Sequence, residues 1–77
     1  MHSNNPLHGI TLEMIIVELY NAYGWDRLSK KLNVNCFKSN PSTTSCLKFF
    51  RKTPWARAKL EDIYLIYKEE LRGKEQQ

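Results

Sequence analysis

The 77-residue chain contains few of the residues on which small disulfide-bonded, metal-binding or catalytic domains depend. Two cysteines, Cys36 and Cys46, are too few for the disulfide framework of a small secreted domain, so we expect reduced thiols. The three glycines are scattered, which excludes a glycine-rich phosphate loop. The only histidines are His2 and His8, so no zinc-ligand spacing exists and no serine has a nearby base. We therefore expect a protein that is not an enzyme and has no metal or cofactor.

Long apolar runs are also missing. The longest, residues 14–17, is far below the roughly 20 residues that span a membrane. The N-terminal stretch lacks the charged and apolar regions of a signal peptide, so a cytoplasmic protein is expected. The length predicts one domain over residues 1–77, with flexible ends at about 1–8 and 73–77.

Charge of one sign is absent from long parts of the chain. Residues 1–26 contain no lysine or arginine, whereas residues 27–59 contain nine of the twelve basic residues and no acidic one. The formal net charge is +4, and almost all of the excess lies in that middle segment. Such an asymmetry indicates an anionic partner.

The spacing of apolar side chains predicts an all-α, compact, single-domain four-helix fold, with no strand pattern. Each helix has one apolar face, and in the third helix the basic residues lie on the opposite face. The segment 33–40 has no period and is expected to be a loop anchored by Val34 and Phe37. The predicted helices span about residues 11–23, 26–32, 41–52 and 54–71.

Capping residues set these predicted boundaries, because serine, threonine and asparagine favour helix starts, proline favours the first turn and glycine favours helix ends. The predicted starts are Thr11, Asn40 followed by Pro41, and Thr53 followed by Pro54. The predicted ends are Gly24 and Gly73.

Basic residues recur at helical spacing on the polar faces. Lys48, Arg51 and Lys52 are spaced i, i+3 and i+4, so their side chains point the same way. Like charges so placed repel by a few tenths of a kcal/mol per pair, and a bound anion would relieve that repulsion. The candidate nucleic-acid-binding residues are Lys48, Arg51, Lys52, Arg57, Lys38, Lys30, Lys31, Arg27, Lys59, Ser42 and Thr43.

Ser42 and Thr43 enter this set because the start of the third helix presents free backbone N–H groups to an anion. Ordinary helix capping is the alternative explanation for these hydroxyls. The aromatic residues between the bases fall mostly on core faces. Trp55 is the exception, because it lies at the edge of its apolar stripe and is expected to be partly exposed.

The segments NNPLHGITLEMI, YGW, NCFKSNPS and LKFFRKTPWAR together resemble a family of small bacterial proteins catalogued as DNA-binding (VF-type). The resemblance covers residues 4–64. It implies a compact four-helix fold, likened to the C-terminal domain of RecA-type recombinases that binds double-stranded DNA.

The charge pattern and the resemblance together favour binding of double-stranded DNA, mainly through its phosphates. The 33–40 loop is too long for the 3–4-residue turn of a helix-turn-helix, so low sequence specificity is expected. An acidic protein partner docking on the same basic surface remains an alternative, since charge complementarity serves either partner. An RNA ligand is the third possibility and would use Trp55 for base stacking.

Overall fold

The computed structural model describes the backbone of residues 9–75 and the side chains of residues 9–73. This part is all-α and contains no strand, as predicted. The predicted count of four helices is not confirmed, because the described chain has three α-helices and one 3₁₀ turn. They are α1 (Leu12–Lys31), the 3₁₀ turn (Asn35–Phe37), α2 (Thr43–Lys52) and α3 (Pro54–Glu75).

The first and second predicted helices are joined in α1. Thr11 caps α1 as predicted, its hydroxyl accepting the Met14 N–H at 3.1 Å. Gly24 was predicted to end the first helix, and its backbone is indeed non-helical; a second helical segment follows directly after it. Gly24 itself has φ 81° and ψ 164°, so it forms a kink inside α1 without an intervening loop.

Gly24→Ala is expected to lower the free energy of unfolding by about 1–3 kcal/mol, because this backbone region is accessible almost only to glycine. No atom lies within 4 Å of the added Cβ, so the cost is one of backbone conformation and not of a clash. Urea unfolding would measure it. Gly73→Ala is the matched control: its Cβ is equally free, and inside α3 it should stabilise by up to about 1 kcal/mol. A similar stabilisation at both positions would contradict the assigned kink.

The boundaries of α2 and α3 differ from the predicted ones. Asn40 does not cap α2, because its φ of 47° is left-handed whereas a capping residue is extended. Ser42 is extended and accepts the Ser45 N–H at 3.1 Å, so α2 begins at Thr43 and Pro41 lies outside it. The helix predicted to stop at Gly73 continues to Glu75, since Gly73 keeps a negative φ. The predicted flexible ends otherwise lie outside the described residues.

One residue, Thr53, separates α2 from α3. Its carbonyl accepts the N–H groups of Ala56 and Arg57, both at 3.0 Å, so the tight turn predicted at this point is confirmed. α1 packs against α2, α3 and the 3₁₀ turn, and α2 packs against α3 and that turn. The basic side chains of α2 are therefore carried by a short helix held on two sides.

The core is a single cluster of apolar side chains. Val34 and Phe37 belong to it, which confirms their predicted role as loop anchors. Tyr64 is the one member with a hydroxyl, which donates to Glu18 at 2.9 Å and so joins α3 to α1. The buried residues are Leu12, Ile15, Ile16, Leu19, Leu28, Leu32, Val34, Cys36, Phe37, Cys46, Phe50, Ala56, Leu60 and Tyr64.

Candidate nucleic-acid interface

Lys48, Arg51 and Lys52, here called the basic ridge, lie on the outer face of α2. All three side chains are exposed, while Cys46 and Phe50 on the opposite face are fully buried. None of the ridge side chains forms an ion pair within the described part of the chain. The ridge therefore presents three unneutralised cations on one helix, two of them in its last turn.

Three other candidate cations have a partner within the chain. Lys30 lies 3.6 Å from Asp26, and Arg57 Nε lies 3.1 Å from Glu61 Oε2. Lys38 Nζ donates to Asn33 Oδ1. The two ion pairs are exposed or half-exposed i, i+4 contacts and stabilise by only about 0.3–0.5 kcal/mol each. They reduce the charge offered to an anion at these positions without preventing its approach.

Arg27 and Lys31 lie over the ring of Tyr23. The Arg27 Cζ atom is 5.8 Å and the Lys31 Nζ atom 4.6 Å from the ring centroid, on consecutive turns of α1 beyond the kink. Lys31 also lines a shallow groove together with Lys59 and the acidic Asp62 of α3. This pairing across two helices could not be seen in the sequence, where the two lysines are 28 positions apart.

Arg57 and Lys59 flank the start of α3 but do not point together. At 100° per residue they lie about 160° apart around the helix, on opposite sides of the buried stripe. Arg57 faces Glu61, whereas Lys59 faces the groove shared with Lys31. All nine candidate bases are exposed, and they form the ridge, the Lys31–Lys59 groove and separate flanking positions.

Ser42 and Thr43 lie at the start of α2, and the Ser42 hydroxyl is occupied by capping. It accepts from Ser45 N, while the Ser45 hydroxyl donates to the Ser42 carbonyl at 3.3 Å. The Cys46 N–H is also satisfied by that carbonyl, at 3.0 Å. These contacts correspond to the capping alternative and leave the phosphate-seat hypothesis without added support.

The aromatic residues near the bases are mostly structural, as the sequence predicted. Phe50 and Tyr64 are fully buried, and Phe49 and Tyr67 are half-buried against the core. Trp55 is 59% exposed, which confirms its expected position at the edge of the stripe. Tyr23 was missed as a platform for cations, although its i, i+4 spacing to Arg27 was visible in the sequence.

The two cysteines lie together in the core. Both are free, and Cys46 Sγ donates to the Cys36 carbonyl at 3.1 Å. Burial raises the pKa of both thiols, because it penalises the thiolate. Burial and the nearby Glu18 carboxylate likewise raise the pKa of Tyr64.

Stability is therefore expected to fall at alkaline pH. Since the folded thiols have raised pKa values, their contribution is complete below the unfolded pKa, roughly 8.5, and is lost as pH rises above it. If both thiols ionise only on unfolding, the free energy of unfolding should fall by about 2.7 kcal/mol per pH unit. Urea unfolding at several pH values from 7 to about 10, in reducing buffer, would measure it. The Cys36→Ala, Cys46→Ala double variant should be less stable, but its free energy of unfolding should fall less steeply with pH above pH 9. The same slope in the variant and the unmodified protein would contradict the assignment.

Two other kinds of site are absent from the described residues. No group of three or more histidine, cysteine, aspartate or glutamate side chains within the described residues could hold a metal ion. No helix of that same part is both long enough and apolar enough to cross a membrane.

Comparison with known proteins identifies a family. The model of a protein family described as DNA-binding protein VF530 matches residues 3–65, which include α1, α2 and the start of α3. No curated protein sequence matches the chain. The matched segment contains all nine candidate bases together with Ser42 and Thr43 of the candidate interface.

Proposed function

The chain belongs to the DNA-binding protein VF530 family, and from this premise we propose that it binds double-stranded DNA through phosphate contacts, with low sequence specificity and no catalysis. The observation that supports this most is the basic ridge of Lys48, Arg51 and Lys52. Its cations are exposed, unpaired within the described chain and carried on a helix packed on two sides. Phosphate is the ligand that such a ridge fits without reading bases.

The other candidate bases would supply additional phosphate contacts. Lys59 and Lys31 add a cation pair where α3 meets α1, and Arg27 lies one turn further along α1. Lys30, Lys38 and Arg57 would take part after exchanging their weak internal partners for phosphate. We assign Ser42 and Thr43 a secondary position at the rim, because capping already uses the Ser42 hydroxyl.

A salt series tests the proposal. Labelled duplex DNA, single-stranded DNA and RNA of equal length would be titrated with protein at several salt concentrations. Engagement of about four to six phosphates predicts a slope of log K against log salt of roughly −4 to −5 for the duplex. The expected result is tightest binding to duplex DNA, with affinity nearly independent of its sequence.

Each other outcome has a defined meaning. Tighter binding to RNA or to single strands, lost in Trp55→Ala, would replace duplex binding by a stacking mode. No binding to any nucleic acid at low salt would contradict the proposal and favour an acidic protein partner for the ridge.

A further inference from the structure

The outward face of α3 carries an unusual set of exposed side chains. Trp55, Lys59, Asp62 and Ile66 fall within about 60° of arc at 100° per residue, and we call them the α3 stripe. All four are exposed, and Trp55 and Ile66 each expose 59% of their surface, more than any other large apolar residue described. Two large apolar side chains are thus presented to solvent on one helix face, with a cation and an anion between them.

A depression lies at one end of this stripe. Asp62, Leu65, Ile66 and Glu69 line it, so its floor is apolar and its rim is acidic. Trp55 lies at the other end of the stripe, eleven residues earlier, or about 16 Å along the axis. The exposed indole and the shallow depression lie on the same helix, so they cannot contact each other within one chain.

We propose that the α3 stripe pairs with the same stripe of a second copy of this chain, the two helices running antiparallel about a two-fold axis. In this register each residue faces the residue of the second copy whose number, added to its own, gives 121. Trp55 then enters the depression at Ile66 of the second copy, and Lys59 meets Asp62 of the second copy. The two-fold symmetry repeats both contacts, so the interface contains four favourable contacts made by the four stripe side chains of each copy.

Charge complementarity is what selects a second copy as the occupant. Neither Lys59 nor Asp62 has an ion-pair partner in the described chain, so both are available across an interface. The antiparallel register pairs them with opposite charge, whereas a parallel alignment in the same register would set Lys59 against Lys59. An isologous contact of this kind closes on itself and gives a dimer, not a filament.

The size of the stripe makes the association weak. One helix face of about three turns buries less than the roughly 1,200–2,000 Å² of a stable interface. Tryptophan is nevertheless among the residues that most often contribute a large share of the binding energy of an interface. We therefore expect a dimer that forms at high micromolar to millimolar concentration in the absence of DNA. The inference does not rest on the proposed function, although Lys59 belongs to both surfaces.

Sedimentation equilibrium without nucleic acid, up to about 1 mM protein (a concentration suited to weak affinities), tests the proposal. The expected mass rises with concentration from 9.1 kDa towards twice that value. Trp55→Ala should weaken the dimer at least tenfold, whereas Met14→Ala, which removes an exposed apolar side chain of α1, should leave it unchanged. A mass of 9.1 kDa at every concentration, or equal effects of the two variants, would overturn the proposal.

A charge exchange tests the register. Lys59→Asp and Asp62→Lys should each abolish self-association, because each places like charges opposite one another. The double variant should restore it, and so should an equimolar mixture of the two single variants, in which every facing pair is again of opposite charge. Circular dichroism would verify that each variant is folded. Failure of both restorations would overturn the antiparallel register, and with it the proposed dimer.

Discussion

Arg51→Glu is expected to weaken binding to duplex DNA by roughly ten- to a hundredfold at low salt, since it removes a phosphate contact and adds repulsion. Arg51 is exposed together with Lys48 and Lys52 on the outer face of α2. The salt slope should fall in magnitude by about one, because one fewer counterion is released. Adding Lys48→Glu should remove detectable binding. Fluorescence anisotropy with a labelled duplex would measure both quantities.

Arg72→Glu is the matched control, because it changes the net charge by the same amount at another exposed position. Arg72 lies 18 residues beyond Pro54, or about 27 Å along α3. That separation exceeds the Debye length of about 10 Å at 0.1 M salt, so the reversed charge is screened from the ridge. Equal losses in the two variants would show that net charge alone drives binding. An unchanged affinity in Arg51→Glu would exclude the ridge as the site.

The largest effect on stability is expected for Phe50→Ala, at about 3–5 kcal/mol. Phe50 is fully buried in α2, and its ring centroid lies 5.7 Å from that of Phe37 and 5.1 Å from that of Phe49. Alanine would leave a cavity between α2 and the 3₁₀ turn. At roughly 0.05–0.15 kcal/mol per residue, the loss takes away much of the stability of so small a domain. The midpoint temperature of thermal unfolding should fall by roughly 15 °C or more.

Phe49→Ala provides the comparison, because the neighbouring ring is only half-buried. The loss of stability in Phe49→Ala should be roughly half that in Phe50→Ala, since much of the Phe49 side chain is already in contact with water. An equal or larger loss than in Phe50→Ala would mean that α2 is rotated relative to the assigned packing. The exposed ridge variants should unfold nearly as the unmodified protein does, which separates effects on binding from effects on folding.

The helices and most core positions could be predicted because apolar periodicity and capping act within one turn of chain. Val34 and Phe37 lie in the segment without a period and were predicted only as the anchors of a loop, which their burial confirms. The failures occurred where two local signals competed. Gly24 does end the first helical segment, but no loop follows it, so the second segment continues α1. Asn40 and Ser42 both suit a helix start, and only the left-handed backbone of Asn40 decides between them.

The candidate site was predictable in composition but not in arrangement. Helical spacing alone was enough to group Lys48, Arg51 and Lys52, because they share one helix. The groove between Lys31 and Lys59 depends on how α1 and α3 pack, which no local pattern encodes. The opposite orientations of Arg57 and Lys59 followed from the period of α3, yet their closeness in sequence concealed it.

The two tryptophans occupy different environments, and this gives the protein two separate optical reporters. Trp25, just past the kink, is half-buried, with ring centroids 4.4 Å from Tyr20 and 5.9 Å from Phe37. Trp55 stands mostly in water. Fluorescence from Trp25 therefore follows the integrity of the core, whereas fluorescence from Trp55 follows what touches the start of α3. With one indole replaced by phenylalanine, the emission of the other distinguishes unfolding of the domain from occupation of its surface.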